Sequence, residues 1–263
     1  MDYLRGWRAL RQDPEWIGKV GIGSLLMLSS MCIPLVGQIP LIGWNALMLR
    51  RAVSGQDAPL PSLRFDFDYL GKLLEVGFKG FLAQTLWSLP VIGLGMVLGC
   101  CFYAGMGGVL SLTVAGASAG GDAGAGLGLL GSLCSMLGMM LAFFAVMLLA
   151  FMPLQVAVLR AELTDELNAA MRFREVLETT KLLWKELLQG YLVLTLIGFA
   201  VGMVGAFTLY LGLFPGIVIL GVIQSYWRAE LYRAYLQKGG QPLPVGPLDV
   251  KPPISGPGAG PPQ

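Results

Sequence analysis

Side chains able to do chemistry are few in this chain and stand far apart. Its 263 residues include no histidine, so it has no imidazole base and lacks the commonest metal ligand. The four cysteines, Cys32, Cys100, Cys101 and Cys134, all fall in uncharged apolar stretches without a CxxC pair, and thiols so placed are expected to pack as small hydrophobes. Glu162, Asp165 and Glu166 cluster beside Arg160, where a solvated loop is expected. Acyl, phosphoryl or proton transfer needs a nucleophile beside a base, a carboxylate pair or a metal set within one site. The apolar stretches offer no such set. The expectation is a protein that is not an enzyme, with no catalytic residue, no metal and no cofactor.

Aromatic, basic and amide side chains remain. Trp44, Arg50 and Arg51 lie at the end of one apolar stretch, and Trp227, Arg228 and Arg233 at the end of another. Basic residues near a bilayer attract anionic headgroups at about 1 kcal/mol each, and tryptophan is enriched at the interface. These six are the candidate lipid or partner contacts. Inside the apolar stretches the polar residues are Gln38, Asn45, Gln84, Thr85, Gln155, Thr195 and Gln224, expected to hydrogen-bond between helices. An ion-coupled carrier keeps a titratable group at mid-membrane, and none stands there.

The elements that must position these groups are built for lipid. Hydrophobic residues make up 55% of the chain and charged ones 13%, against about 25% charged in soluble domains. Uncharged runs cover residues 20–49, 80–121, 123–159 and 187–227, each longer than the roughly 20 residues a membrane helix needs. All 18 basic residues fall in four clusters between those runs, and the turning points near 34–40, 116–128 and 211–216 hold none. The positive-inside rule then puts every cluster and both termini in the cytoplasm. The expected fold is an all-α membrane protein of about six membrane segments in three helical hairpins, each preceded by an amphipathic interfacial helix.

In detail, an integral membrane domain should cover 1–238. It comprises an interfacial helix at 2–16 and a hairpin at 17–51, an interfacial helix at 65–79 and a hairpin at 80–160 with a Gly-rich outer loop at 116–128, then an interfacial helix at 168–186 and a hairpin at 187–237. The first hairpin has arms of about 22 Å at 1.5 Å per residue, short enough to be re-entrant. The stretch 80–160 has length for two crossings or four. Residues 1–15 mix both charge signs without a small-residue cleavage site after them, so the N-terminus is expected to stay attached. Residues 239–263, rich in Gly and Pro, are expected to form a disordered cytoplasmic tail. A net charge of +2 without a basic run gives no reason to expect nucleic acid as a partner.

Two features tie parts of the chain together. Trp44-x-Ala46-x-x-x-Arg50 followed by Pro59-Leu60-Pro61 recurs at one constant offset as Trp227-x-Ala229-x-x-x-Arg233 followed by Pro242-Leu243-Pro244. An internal duplication of this kind predicts parallel second arms with both tryptophans at equal depth near the cytoplasmic interface. The stretches Ile33-Pro-Leu-Val-Gly-Gln-Ile-Pro-Leu-Ile-Gly43, Leu49-Arg-Arg-Ala-Val-Ser-Gly-Gln-Asp-Ala-Pro-Leu-Pro61, Phe65-Asp-Phe-Asp-Tyr-Leu70 and Phe173-Arg-Glu-Val-Leu177 resemble the bacterial and archaeal membrane family filed as domain of unknown function 4013. The resemblance covers roughly residues 15–238 and implies a multi-helix membrane protein with the same hairpin order. It brings no established activity and no site residues. The function expected is a non-enzymatic membrane scaffold or modulator of other membrane components, with a transporter or permease-like subunit as the alternative. Its place would be the cell membrane, multi-pass, or the inner membrane where the source has two. Its partners would be the lipid bilayer and other membrane proteins or a second copy.

Overall fold

The computed structural model describes residues 2–33, 35, 37–208 and 211–250, with side chains except at 32, 106, 109, 110, 112, 113 and 115–129. Among the described residues all regular structure is α-helical: α1 Arg5–Gln12, α2 Trp16–Cys32, α3 Gln38–Val53, α4 Phe67–Thr164, α5 Leu167–Met171, α6 Phe173–Leu182, α7 Trp184–Phe207 and α8 Leu213–Gln237. The boundaries follow local chemistry. Pro14 separates α1 from α2, while Pro40 and Pro215 fall within the first turns of α3 and α8, where a missing N–H costs nothing. The Asp66 carboxylate accepts from the Asp68 N–H and caps α4.

The helices form two compact units, one reaching up to Gln84 and resuming at Gln155, the other Thr85–Leu154. At the centre of the first unit is α8, which contacts α1, α2, α3 and α7. Glycines set the close approaches. Gly23 lies against Leu41 and Val218, so α2 meets both α3 and α8. Along the α7–α8 contact, Gly190 faces Trp227, Gly198 faces Leu220 and Gly205 faces Leu213. One sequence number rises as the other falls, so the pair is antiparallel.

In the second unit α4 doubles back. A straight helix of 98 residues would be about 147 Å long at 1.5 Å per residue. Yet a Cβ on Gly95 would lie 2.7 Å from the Met147 methyl, and one on Gly105 2.9 Å from that of Met139. The chain therefore returns on itself between residues 105 and 139.

Among the described residues three stretches are long and apolar enough to cross a membrane: Phe67–Gly105, Leu130–Thr164 and Trp184–Phe207, of 39, 35 and 24 residues. At 17 residues α2 measures about 25 Å, short of the ~30 Å hydrocarbon core.

Several boundaries differ from expectation. The segment 65–79 is no separate interfacial helix but the opening of α4, since Gly80 alone does not interrupt helical hydrogen bonding. Residues 116–128 are helical along the backbone rather than a loop. The stretch lacks proline, and in apolar surroundings glycine is tolerated within helices. The segment 168–186 is broken into α5, α6 and the start of α7. Residues 239–250 are held against the protein rather than disordered, through contacts that no apolar periodicity announces. The expectations for Pro34 and for 251–263 lie outside the described residues.

Candidate functional site

The charged residues that mark the ends of the apolar stretches are bonded to one another. Arg50, in the last turn of α3, is fully buried. Its Nε donates to the Glu162 carbonyl at 2.7 Å, and its two terminal nitrogens to the Pro247 carbonyl at 3.1 Å and to Asp165 at 2.9 Å. Lys79 donates to the other Asp165 oxygen at 2.7 Å. Asp165 ends α4 in the left-handed conformation, φ 60°, which aspartate tolerates better than most residues and which turns its carboxylate toward both cations. About one helical turn inward along α4, Arg228 donates to both oxygens of Glu162 at 2.9 and 2.7 Å and to Gln155 at 3.1 Å.

A second knot gathers around Arg5 of α1. It donates to Asp57, to Glu230 and to the Ala52 carbonyl, and Arg233 reaches the same carbonyl at 3.1 Å and Glu230 at 3.0 Å. Two guanidinium groups thus face the negative end of α3. Nearby, buried Asp13 accepts from Lys19 at 2.7 Å and from the Glu15 and Leu60 N–H groups at 2.8 Å each. Burial raises the affinity of this carboxylate for a proton, but the Lys19 bond and the two backbone N–H groups outweigh it and hold its pKa below the ordinary value.

The two copies of the Trp…Arg…Pro-Leu-Pro motif share a construction. After α3, Gly55 is left-handed and the Gln56 N–H donates back to the Arg51 carbonyl. After α8, Gly239 is left-handed and the Gly240 N–H donates to the Tyr235 carbonyl. Both are the glycine-terminated helix end that satisfies orphan carbonyls. Each leucine of Pro-Leu-Pro then gives its N–H to a side chain, Leu60 to Asp13 and Leu243 to the Tyr232 hydroxyl, both at 2.8 Å. They differ at tryptophan. Trp44 donates to the Pro61 carbonyl at 3.1 Å, whereas Trp227 packs on Gly190 and its N–H finds no acceptor among the described residues.

Of the six candidate lipid or partner contacts, Trp44, Arg50, Trp227 and Arg228 are buried, Arg51 pairs with Asp249, and Arg233 is bound to Glu230 and Ala52. The groups that bind Arg50, Arg51 and Arg228 come from segments distant in sequence, so these side chains tie the fold together, while Arg51 and Arg233 stay partly exposed. Of the solvated loop expected at Glu162, Asp165 and Glu166, Glu162 is instead buried and paired, Asp165 is half-buried and paired, and Glu166 is exposed as expected. One signal was present: Arg160-Ala-Glu-Leu163 recurs as Arg228-Ala-Glu-Leu231, and the arginine of the second copy pairs with the acid of the first.

Beside this charged region is a cavity of about 280 Å³ between α2, α3, α8 and the opening of α4. Gln38, Asn45, Gln84 and Gln224 line it together with Met27 and Trp44. Four of the seven polar residues expected to bond between helices therefore meet at one place. Gln224 donates to Gln155 at 3.4 Å. Gln38, Asn45 and Gln84 make no side-chain hydrogen bond among the described residues. No group of histidine, cysteine and carboxylate side chains able to hold a metal occurs among the described residues.

A family model described as a protein of unknown function (DUF4013) matches residues 26–211. No curated protein and no solved structure matches the chain.

Proposed function

The chain belongs to the DUF4013 family of proteins of unknown function, and from that premise we propose a multi-pass protein of the cell membrane that catalyses no reaction and organises, supports or modulates other membrane components. One observation carries this reading: the helices long enough to span leave their apolar side chains uncovered. Leu149, Phe199 and Phe207 are 63%, 69% and 83% exposed. Such surfaces are covered by lipid or by partner helices, while the buried charged side chains Arg5, Lys19, Arg50, Arg160, Glu162 and Arg228 are paired.

The cytoplasmic placement of both termini belongs to the same proposal. Ion pairs Arg5–Asp57, Arg5–Glu230, Arg50–Asp165 and Arg228–Glu162 join all four charged clusters. Groups within bonding distance lie on one side of a bilayer, so the chain must return after each excursion. Three hairpins with six membrane segments meet that condition, and the positive-inside rule selects the cytoplasm.

A second reading, a permease-like subunit, is favoured by the amide-lined cavity. Affinity purification in mild detergent separates the two. A stable stoichiometric partner is the expected result; a lone oligomer that moves solute across liposomes would overturn the scaffold reading in favour of the permease.

A further inference from the structure

We propose that the cavity between α2, α3, α4 and α8 binds an uncharged, hydroxyl-bearing group the size of a small polyol, either a free polyol or the polyol head of a neutral lipid. The proposal shares its cavity with the permease-like reading but does not depend on solute movement.

The first support is an accounting of hydrogen bonds. Each primary amide offers one acceptor and two donors. At Gln38, Asn45 and Gln84 none of these is used within the described residues, and Gln224 uses only its N–H, which donates to Gln155. An amide left unpaired in hydrocarbon costs several kcal/mol. Three unpaired amides and one free carbonyl converging from three helices are better accounted for by an occupant than by lipid tails.

The kind of occupant follows from the lining. No Asp, Glu, Lys or Arg lines the cavity, and the nearest charges along α8, α4 and α3, Arg228, Lys79 and Arg50, are already paired. A charged ligand would lose its water without gaining a counter-charge. Hydroxyl groups both donate and accept, as the amides do. Leu41, Ile217 and Leu220 supply an apolar wall suited to the carbon skeleton of a polyol or the start of an acyl chain. The volume of about 280 Å³ holds on the order of nine waters at ~30 Å³ each, enough for a head of glycerol size together with the start of an acyl chain or a few waters. Gly221 makes the room, since a Cβ there would stand 3.0 Å from the Asn45 amide nitrogen.

The test uses the full-length protein in phosphatidylcholine nanodiscs, with the thermal midpoint followed by near-ultraviolet circular dichroism. The probes are dioleoylglycerol in the bilayer, glycerol in the buffer, and dioleoylphosphatidic acid as a charged control. A ligand that binds only the folded state raises the midpoint, and a rise of several degrees is expected with dioleoylglycerol, glycerol or both. A response to the lipid alone assigns the head of a neutral lipid, and a response to glycerol alone assigns a free polyol. Gln84→Leu and Asn45→Leu should each lose the shift. Gln84 is exposed, so its replacement should leave the unliganded midpoint no lower and keeps the test valid should Asn45→Leu fail to fold. Because polyols also stabilise by exclusion from protein surfaces, the glycerol arm is read as the difference between wild type and Gln84→Leu. A wild type that responds to neither probe, a shift retained in Gln84→Leu, or an equal shift with phosphatidic acid overturns the proposal. None of these results bears on whether a partner copurifies, so the scaffold reading is tested separately.

Discussion

Glu162 shows how much depends on single charged groups here. It is 3% exposed, and Arg228 binds both its oxygens. Removing one member of a buried pair leaves the other uncompensated, at a cost of about 3–5 kcal/mol. Glu162→Gln should therefore lower the thermal midpoint in nanodiscs markedly, while exposed Glu166→Gln should stay within about 0.5 kcal/mol of wild type. Asp13 makes a pH-dependent contribution. Its folded pKa is depressed, so the unfolded chain takes up the proton first as pH falls. The stability it provides is complete above the ordinary carboxylate value of 3.8 and is lost as pH drops through that value toward the lower folded one. Comparing midpoints of wild type and Asp13→Asn from neutral pH down to that range should show the gap closing with acid. A gap independent of pH would refute the assignment.

Between elements, the decisive contact is the crossing of α3 and α4. A Cβ on Gly43 would strike the Leu73 carbonyl oxygen, and one on Gly77 the Ile39 carbonyl oxygen, so the two backbones touch through a pair of glycines. Gly43→Ala and Gly77→Ala must push the helices apart, and each should cost at least the 1–3 kcal/mol typical of overpacking. Gly71→Ala and Gly93→Ala, with nothing within 4 Å of the added methyl, should be neutral or stabilising. Midpoints of the four variants check this, and loss of stability in the second pair alone would reverse the picture. Gly99 and Gly202, also within apolar helices, make no such contact and meet nothing. The letter glycine is the same at all these positions, and the neighbour opposite decides which of them pack closely.

For the whole molecule the expected outcome concerns sidedness. On a background with all native cysteines replaced, a cysteine at Gln56, Glu166 or Gln241 should react with an impermeant reagent only after permeabilisation, and one at Asp122 in intact cells. The ion pairs require positions 56 and 166 to behave alike, since Arg50 and Asp165 are 2.9 Å apart. Opposite labelling of those two would overturn the arrangement, whereas joint labelling from outside would invert only the orientation.

Hydropathy, helix-breaking prolines and the family resemblance sufficed to read the α-helical class, the membrane-length stretches and the grouping of charge at their ends, because each depends on composition within a window of about 20 residues. The roles of individual residues were not legible in the same way. Trp44, Arg50 and Arg228 read as surface groups because basic and aromatic residues at the end of an apolar stretch usually meet headgroups. Only the folded chain brings Glu162, Asp165 and Pro247 to them from far along the sequence. The same holds for the cavity: four amides on three helices are scattered letters until α3, α4 and α8 close around them. Residues 239–250 carry no periodicity of their own, and what orders them is a set of carbonyls and carboxylates presented to arginines of α3, a partnership that exists in three dimensions alone.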